Sequence, residues 1–264
     1  MTFLRFAVLR FLLLCMGLML GVGVMAQAPT FPNRPIKLVV PFVPGGTLDV
    51  VARLLARNMQ EGLKQAVVVE NRAGASSNIA SEFVAKSTPD GYTLLLGTIA
   101  NATNMTAYKS MGYDTMRDFV HITQFMTAPS VLTLHPSVPA KNLKEFIAVA
   151  KQNPGKFAFS SSGNGGSPHL AGELLKMRAN IDLIHVPYKG AAPAIADLIG
   201  GQVQMSFQTA LSAIPHLKSG KLNVLAVASK KRMTTLPNVP TMAEAGLTDF
   251  EVSSWNGLFA PAKT

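Results

Sequence analysis

Short apolar runs that alternate with helical patterns constrain the fold of this chain more than any other feature. The predicted strands begin at residues 36–40 and continue at residues 66–70, 93–97, 157–160, 183–186, 203–207 and 223–228. The predicted helices lie between them, at residues 79–86, 143–152, 170–178, 194–199 and 211–219. Strands that alternate with helices in this way indicate α/β architecture with mainly parallel sheets.

Residues 1–28 differ in composition from the rest of the chain. Arg5 and Arg10 precede an uncharged apolar run, and small residues follow at Ala26 and Ala28. A basic start, an apolar segment of about 15 residues and a small-x-small exit predict a secretory signal peptide, cleaved near Ala26 or Ala28. A membrane anchor is the alternative, but a spanning helix needs about 20 apolar residues. We therefore expect an exported protein.

The composition excludes several classes of protein. Cys15 is the only cysteine and lies in the predicted leader, so we expect neither thiol chemistry nor a disulfide in the mature protein. Loss of Arg5 and Arg10 with the leader lowers the formal net charge from +10 to +8. A net positive charge of this size favours anionic partners. The basic residues are scattered except at Lys230-Lys231-Arg232, which no aromatic residues accompany. We therefore expect no nucleic-acid partner.

The stretch from Ile36 to Asp49 predicts a strand, a tight turn and a helix start in direct succession. The turn is Pro44-Gly45-Gly46, whose glycines can adopt positive φ and let a ligand approach the backbone. Thr47 or Asp49 can cap the helix that follows. Such a turn directs free N–H groups and the positive end of a helix dipole at one point, which suits an anion.

A second stretch has the same organisation. Ser162-Gly163-Asn164-Gly165-Gly166-Ser167 follows the predicted strand at residues 157–161 and precedes a helix. Ligands of open α/β sheets bind at the carboxyl ends of the strands, where such turns lie. Residues 97–101 and 187–190 also follow predicted strands, so they are two further candidate ligand-binding turns at this edge of the sheet. Anion-binding turns in the two halves of the chain predict a clamp that closes around a small ligand.

Several motifs carry a family resemblance, and their order and spacing agree from about Pro32 to the last residue. They are Pro41-Phe42-Val43-Pro44-Gly45-Gly46 with Asp49, Val69-Glu70-Asn71-Arg72, Pro89-Asp90-Gly91-Tyr92-Thr93-Leu94-Leu95, Ser162-Gly163-Asn164-Gly165, His169-Leu170-Ala171-Gly172-Glu173, Pro187-Tyr188-Lys189-Gly190, Gly200-Gly201-Gln202-Val203 and Trp255-Asn256-Gly257-Leu258-Phe259-Ala260-Pro261. In these motifs the chain resembles the periplasmic substrate-binding proteins of tripartite tricarboxylate transporters, the Bug family.

The resemblance implies a fold and a function. The fold is α/β and two-lobed, of the type II-like periplasmic binding protein class. Each lobe is expected to hold a mainly parallel sheet flanked by helices, and a hinge joins the lobes. The function is capture of a small carboxylate between the lobes and its delivery to the membrane subunits of a transporter. We expect a monomer that binds its ligand without a metal or another cofactor.

The resemblance also implies which residues hold the ligand. Phe42, Gly45 and Gly46 would donate backbone N–H groups, and Asp49 would order this loop and a bridging water. Asn101 and Gln208 would line the cleft. The second loop would close from the other lobe through Ser162, Gly163, Gly165, Gly166 and Ser167. Relatives commonly have an aspartate where this chain has Gln208, which can donate as well as accept, so ligand preferences do not transfer.

The resemblance assigns residues 29–125 plus 252–264 to lobe one and residues 126–251 to lobe two. Residues 121–134 show two extended runs around Pro129 and no helix, as expected where a chain passes between domains. Relatives of this type continue beyond the position of Thr264. We therefore expect a truncated C-terminal part and an incomplete lobe one.

Two other functions remain open on the sequence. A ligand sensor for a signalling partner uses the same fold. A small α/β hydrolase could use Ser162 with His169 and Asp49, although Gly-x-Ser-x-Gly is absent and no orienting group is evident. His169 and Glu173 lie one helical turn apart, but without a third ligand they indicate a local polar pair rather than a metal site.

Overall fold

The computed structural model describes residues 30–264. The predicted signal peptide at residues 1–28 lies outside the described residues and stays a prediction. None of the helices within residues 30–264 combines the length and the apolar character that a membrane crossing requires. Residues Arg34–Thr264 form one unit that contains every helix and strand of the described part.

The element boundaries differ from the predicted ones by a few residues. The strands are β1 (Ile36–Val40), β2 (Val67–Asn71), β3 (Thr93–Thr98), β4 (Phe119–Leu134), β5 (Ala158–Ser161), β6 (Ile184–Pro187), β7 (Met205–Thr209), β8 (Asn223–Val227) and β9 (Ser253–Pro261). The α-helices are α1 (Thr47–Leu63), α2 (Asn78–Ala85), α3 (Ile99–Ala107), α4 (Leu143–Gln152), α5 (Ser167–Ala179), α6 (Ala191–Ile199) and α7 (Ala210–Lys218).

The first sheet has the strand order β2-β1-β3-β9-β4. Strand β1 is parallel to β2 and β3, with Leu38 opposite both Val69 and Leu94. Strand β9 runs antiparallel to β3 and to the first part of β4. The continuous apolar sequence of β1 suits a strand that is covered on both faces. Leu38 and Val40 belong to the core under α1, and Val39 belongs to the core under α2.

The second sheet has the strand order β8-β4-β7-β5-β6. Strand β5 is parallel to β6 and β7, whereas β4 is antiparallel to β7 and β8. Phe159 and Phe207 are fully buried in its core, together with Phe146 from α4 and Leu175 from α5. Each sheet thus has parallel outer strands, and antiparallel strands lie where the two sheets meet. The predicted two-lobed α/β fold is confirmed.

Strand β4 belongs to both sheets. It pairs with β9 from Phe119 to Pro129 and with β7 from Ser130 to Leu134. Its pairing with β9 shifts register between His121 and Thr123 and again after Gln124, as at β-bulges. The prediction of an extended, helix-free passage through residues 121–134 is confirmed, and one continuous strand links the lobes.

Helix α3 was not predicted, because its sequence Ile-Ala-Asn-Ala-Thr-Asn-Met-Thr-Ala is rich in poor helix formers. A capping box starts it instead: the Thr98 side chain accepts from the Ala100 N–H, and Asn101 accepts from the Thr98 N–H. The structure therefore gives the predicted edge at residues 97–101 a helix N-terminus of its own.

Helix N-termini gather on the side of the sheets where the parallel strands end. Strands β1, β3, β5 and β7 each lead directly into a helix, namely α1, α3, α5 and α7. In a parallel arrangement the carboxyl ends of the strands share one edge, so the helices that follow them begin at that edge. The cleft between the two lobes lies at this edge in both sheets.

Candidate functional site

A cavity of about 80 Å³ lies between the lobes, where the helix N-termini meet. The first turns of five helices line it. They contribute Gly46, Thr47 and Leu48 (α1), Thr98, Ile99 and Ala100 (α3), Gly166, Ser167 and Pro168 (α5), Ala191 (α6), and Thr209 and Ser212 (α7). The first four N–H groups of a helix have no intrahelical acceptor, and each helix dipole adds partial positive charge there. The cavity therefore favours an anion.

The first loop, residues 41–46, is held by the buried carboxylate of Asp49. This carboxylate accepts hydrogen bonds from the Gly45 N–H (3.1 Å), from Arg53 Nε and Nη2 (both 3.0 Å) and from Asn71 Nδ2 (3.0 Å). Asn71 Nδ2 also donates to Phe42 O at 2.9 Å, which fixes the other end of the loop. Asp49 and Asn71 together set the shape of the turn, with Gly45 at φ +86°.

The charge of Asp49 is compensated locally. Burial alone would raise the pKa of Asp49, but hydrogen bonds from Arg53, Gly45 and Asn71 and the charge of Arg53 lower this pKa below its ordinary value. Asp49 is the only charged residue among the described residues that line the cavity. Because its carboxylate is ionised and already accepts hydrogen bonds from these three residues, it organises the loop and adds little repulsion toward an anion.

The second loop, residues 162–166, is held by two histidines. Gly165 N–H donates to His169 Nδ1 at 3.0 Å, so this nitrogen is the unprotonated acceptor. His185 Nε2 lies 2.7 Å from Ser161 Oγ, which in turn accepts from the Gly163 N–H at 3.2 Å. The two imidazole rings stack with their centroids 4.1 Å apart. The loop geometry thus depends on an Nδ1 of His169 that carries no proton.

We expect the protein to lose stability as the pH falls from about 6.5 toward about 4. Burial lowers the pKa of His185 to about 4 and also lowers the pKa of His169, with Lys176 acting in the same direction and Glu173 opposing it at His169. The unfolded chain takes up protons first, near an ordinary histidine pKa of about 6.5, so the free energy of unfolding declines over this interval.

Denaturant unfolding at several pH values measures this effect. His185→Phe keeps a ring that can stack on Phe159 and removes one titrating group, so its pH dependence below 6.5 should be shallower. His121→Gln, at an exposed histidine, is the matched control and should follow the parent protein. A flat stability profile of the parent between pH 6.5 and pH 4 would contradict the prediction.

Hydrogen bonds cross the cleft and hold the two lobes together. They join Thr47 Oγ1 to Thr209 Oγ1 (2.9 Å), Thr103 Oγ1 to Gly165 O (2.7 Å) and the Val43 N–H to Lys189 O (3.4 Å). Gly190, at φ +144°, lets the lobe-two backbone approach Phe42 and Val43, because a Cβ there would lie 3.2–3.3 Å from their side chains. The structure therefore shows the lobes in contact around the cavity.

Most of the predicted site residues line this cavity. They are Phe42, Gly46, Asp49, Ser162, Gly163, Gly166, Ser167 and Gln208. They come from both lobes, and the Gly163 backbone lies against Ser76 of lobe one. The roles of these residues toward a ligand, and the bridging water expected at Asp49, stay predictions.

The structure places three predicted residues elsewhere. Asn101 is fully buried behind the α3 N-terminus, where its amide accepts from the Thr98 N–H and donates to Ser81 Oγ, so it does not line the cleft. The Gly45 N–H is occupied by Asp49. Gly165 donates to His169 and accepts from Thr103. These two glycines shape their loops rather than face the cavity.

Other residues on the cavity wall were not named individually as site residues from the sequence, although residues 97–101 and the loop containing Asn164 were predicted as candidate turns. They are Val43, Thr47, Leu48, Ser76, Thr98, Ile99, Ala100, Met126, Asn164, Pro168, Ala191, Thr209, Ser212, Ser254 and Asn256. The sequence contained a signal for some of them. Thr209 follows a predicted strand just as Ser162 does, so it could have been placed at the same edge of the sheet. Met126, Ser254 and Asn256 come from β4 and β9, whose pairing across about 130 residues of chain no local pattern reveals.

Metal binding and a hydrolytic triad receive no support from the described residues. No group of three or more His, Cys, Asp and Glu side chains within residues 30–264 could hold a metal ion. The residues of the hydrolase alternative are engaged separately: His169 accepts from Gly165, and Asp49 pairs with Arg53. The Ser162–His169–Asp49 arrangement considered for a hydrolase is therefore not formed in this structure.

The two-lobed fold and the anion-favouring cavity between the lobes define a solute-binding protein of the periplasmic class. The family model described as "Tripartite tricarboxylate transporter family receptor" matches residues 51–264. The chain belongs to this family, and the resemblance to Bug proteins is confirmed.

Relatives agree with this assignment over most of their length. Protein BugT of Bordetella pertussis is 40% identical over 246 residues, which cover 92% of this chain and 76% of BugT. The solved structure of R. palustris Rpa4515 with adipate is 39% identical, with a TM-score of 0.87, and covers 89% of this chain and 79% of its own. The structure of MatC from Rhodopseudomonas palustris with bound malate is 33% identical, with a TM-score of 0.83. The match covers 89% of this chain and 80% of the MatC chain.

Proposed function

We propose that this protein captures a small carboxylate between its lobes and delivers it to the membrane subunits of a tripartite tricarboxylate transporter. The observation that carries the proposal is the meeting of five helix N-termini at a cavity. Among residues 30–264, no lysine or arginine lines this cavity. Helix N-termini bind anions through N–H groups and dipoles. The adipate and malate bound by two relatives are carboxylates of the size that we propose.

We propose that the protein functions in the periplasm, after export and cleavage of its signal peptide near Ala26 or Ala28. Lobe one comprises residues 29–125 plus 252–264, and lobe two comprises residues 126–251. The change of partners along β4, from β9 up to Pro129 to β7 from Ser130 onward, supports this boundary. We propose that the protein acts as a monomer and without catalysis. Transport is favoured over sensing because the family consists of transporter receptors.

A thermal-shift screen against mono-, di- and tricarboxylates tests the proposal. A true ligand at a hundred times its dissociation constant should add ~2.7 kcal/mol to the free energy of unfolding. The matched control is the amide of each acid, which has nearly the same shape but no negative charge and should not stabilise the protein. Binding should survive exhaustive chelation. Stabilisation by amides as strong as by acids, or by no carboxylate at millimolar concentration, would overturn the proposal.

A further inference from the structure

A second cavity adjoins the main cavity between the lobes. This adjoining cavity has a volume of about 200 Å³. Lobe one contributes residues 74–77 and Tyr108 to its wall, and lobe two contributes Tyr188 and Lys189. The two cavities share five wall residues, which are Phe42, Ser76, Ser162, Gly163 and Asn164. These five residues therefore form the partition between the main cavity and the adjoining cavity.

Ser76 and Gly163 meet in this partition, one from each lobe. A Cβ on Gly163 would lie 2.9 Å from Ser76 Oγ and 3.6 Å from both Cα and Cβ of Ser76. Gly163 also has a φ of +134°, which a residue with a side chain rarely adopts. The Ser76 side chain therefore rests directly against bare glycine backbone and fills the space between the lobes at this point.

An unfavourable backbone conformation holds Ser76 in place. Ala75, Ser76 and Ser77 have φ values of +45°, +50° and +76°. Residues other than glycine seldom adopt such values, and those that do are concentrated at ligand clamps and switches. The buried Asn104 donates from Nδ2 to Ser76 O at 2.7 Å, which fixes this backbone from α3. The fold itself thus sets the position of the Ser76 side chain.

The two cavities differ in size and in charge. At roughly 10–15 Å³ for each water-sized group, the main cavity of about 80 Å³ holds about five to eight non-hydrogen atoms. Succinate and butyrate fall within this range, whereas adipate and octanoate exceed it. Among the described residues that line the adjoining cavity, Lys189 is the only charged one. A second carboxylate would therefore meet a cation only beyond the partition.

We propose that Ser76 is a specificity-determining residue that limits the length of the ligand. While Ser76 lies against Gly163, the ligand is confined to the main cavity, and a longer acid would force the lobes apart at the partition. This inference rests on the proposed function and deepens it, because the helix N-termini bind the carboxylate and Ser76 sets how far its chain extends. A chain that passes the partition would bring a second carboxylate toward Lys189.

Pairs of short and long acids test the inference by isothermal titration calorimetry. The pairs are succinate with adipate and butyrate with octanoate, titrated into the protein with its native sequence after the leader. In the pair that binds, the short acid should bind at least about 10-fold tighter than the long one. In Ser76→Gly this ratio should fall below about 3-fold, because glycine removes the side chain and adopts the positive φ without strain.

Ser77→Gly is the matched control. Ser77 also has a positive φ, and its buried Oγ has no hydrogen-bond partner, but it lines the adjoining cavity and not the main one. This variant should keep the length ratio of the unmodified protein. In Ser76→Gly/Lys189→Met, adipate should bind at least about 3-fold more weakly than in Ser76→Gly, because its far carboxylate loses the charge of Lys189. Thermal melts verify that the variants are folded.

Each remaining outcome overturns part of the argument. Equal affinities of short and long acids for the unmodified protein would refute the length limit, and this measurement needs no variant. A ratio that stays high in Ser76→Gly, or that falls as far in Ser77→Gly, would refute the role of Ser76. Loss of Lys189 without effect on adipate would refute the path into the adjoining cavity. Binding of long acids alone would refute the inference and leave the proposed function intact, whereas failure of all carboxylates would refute both.

Discussion

Ser167→Asp should abolish carboxylate binding while leaving the protein folded. Ser167 is the first residue of α5 and faces the cavity from lobe two. A carboxylate at this position would take the place of the ligand at the helix N-termini and repel it. Two unit charges 4 Å apart interact by about 4 kcal/mol near a protein surface, so we expect affinity to fall by at least about 100-fold.

The matched control for this change is Ser167→Asn, which has the same size as aspartate but no charge. We expect it to lose less than about 10-fold in affinity. The aspartate variant should keep or slightly raise its melting temperature, because an acidic residue in the first turn interacts favourably with the helix dipole. Calorimetric titration with the best ligand of the screen measures both variants. Equal affinity of the aspartate and asparagine variants would show that Ser167 does not face the bound anion.

A disulfide between positions 47 and 209 should stop ligand exchange completely. The hydroxyl groups of Thr47 and Thr209 approach to 2.9 Å across the cleft, one on α1 and one at the start of α7. A disulfide requires Cβ atoms about 3.5–4.5 Å apart, and the direct contact of the two side chains makes this pair the one to link across the cleft. In Thr47→Cys/Thr209→Cys the oxidised protein should bind no added carboxylate, since the lobes can no longer separate.

The absence of other cysteines makes this experiment clean, because Cys15 lies in the predicted leader and is omitted from the mature protein. The reduced double variant should bind as well as either single variant. Oxidation in the presence of ligand should trap the ligand through gel filtration. Free exchange of ligand in the fully oxidised protein would mean that the cavity is reached without separation of the lobes.

The sequence sufficed to predict the fold class and both loops, because these depend on local patterns. The glycine turns at residues 44–46 and 162–167 follow apolar strands and precede helices, and each step has a short-range signal. The assignment of Asn101 failed for the opposite reason. Its amide is taken up by the backbone of Thr98 and by Ser81, a residue 20 positions away that no pattern connects to it.

The orientation of Gln208 shows a second limit of sequence reasoning. Its residue type offers both a donor and an acceptor. Which of the two faces Ser206 depends on the hydroxyl proton of Ser206, which is directed at the carbonyl of Ser160 on a neighbouring strand. The role of Asn71 was hidden in the same way, because its contacts with Phe42 and Asp49 arise only when β1 and β2 are paired.

The pairing of β3 with β9 determines the order in which the two lobes can fold. Asn256 donates to Gly97 O across 159 residues, and all of lobe two lies between them in the chain. A polypeptide that emerges from its N-terminus first therefore leaves the edge of β3 unpaired until lobe two has been delivered. The second lobe can fold early from nearby segments, whereas the first lobe, although it begins the chain, completes last and is open to wrong strand pairing for longest.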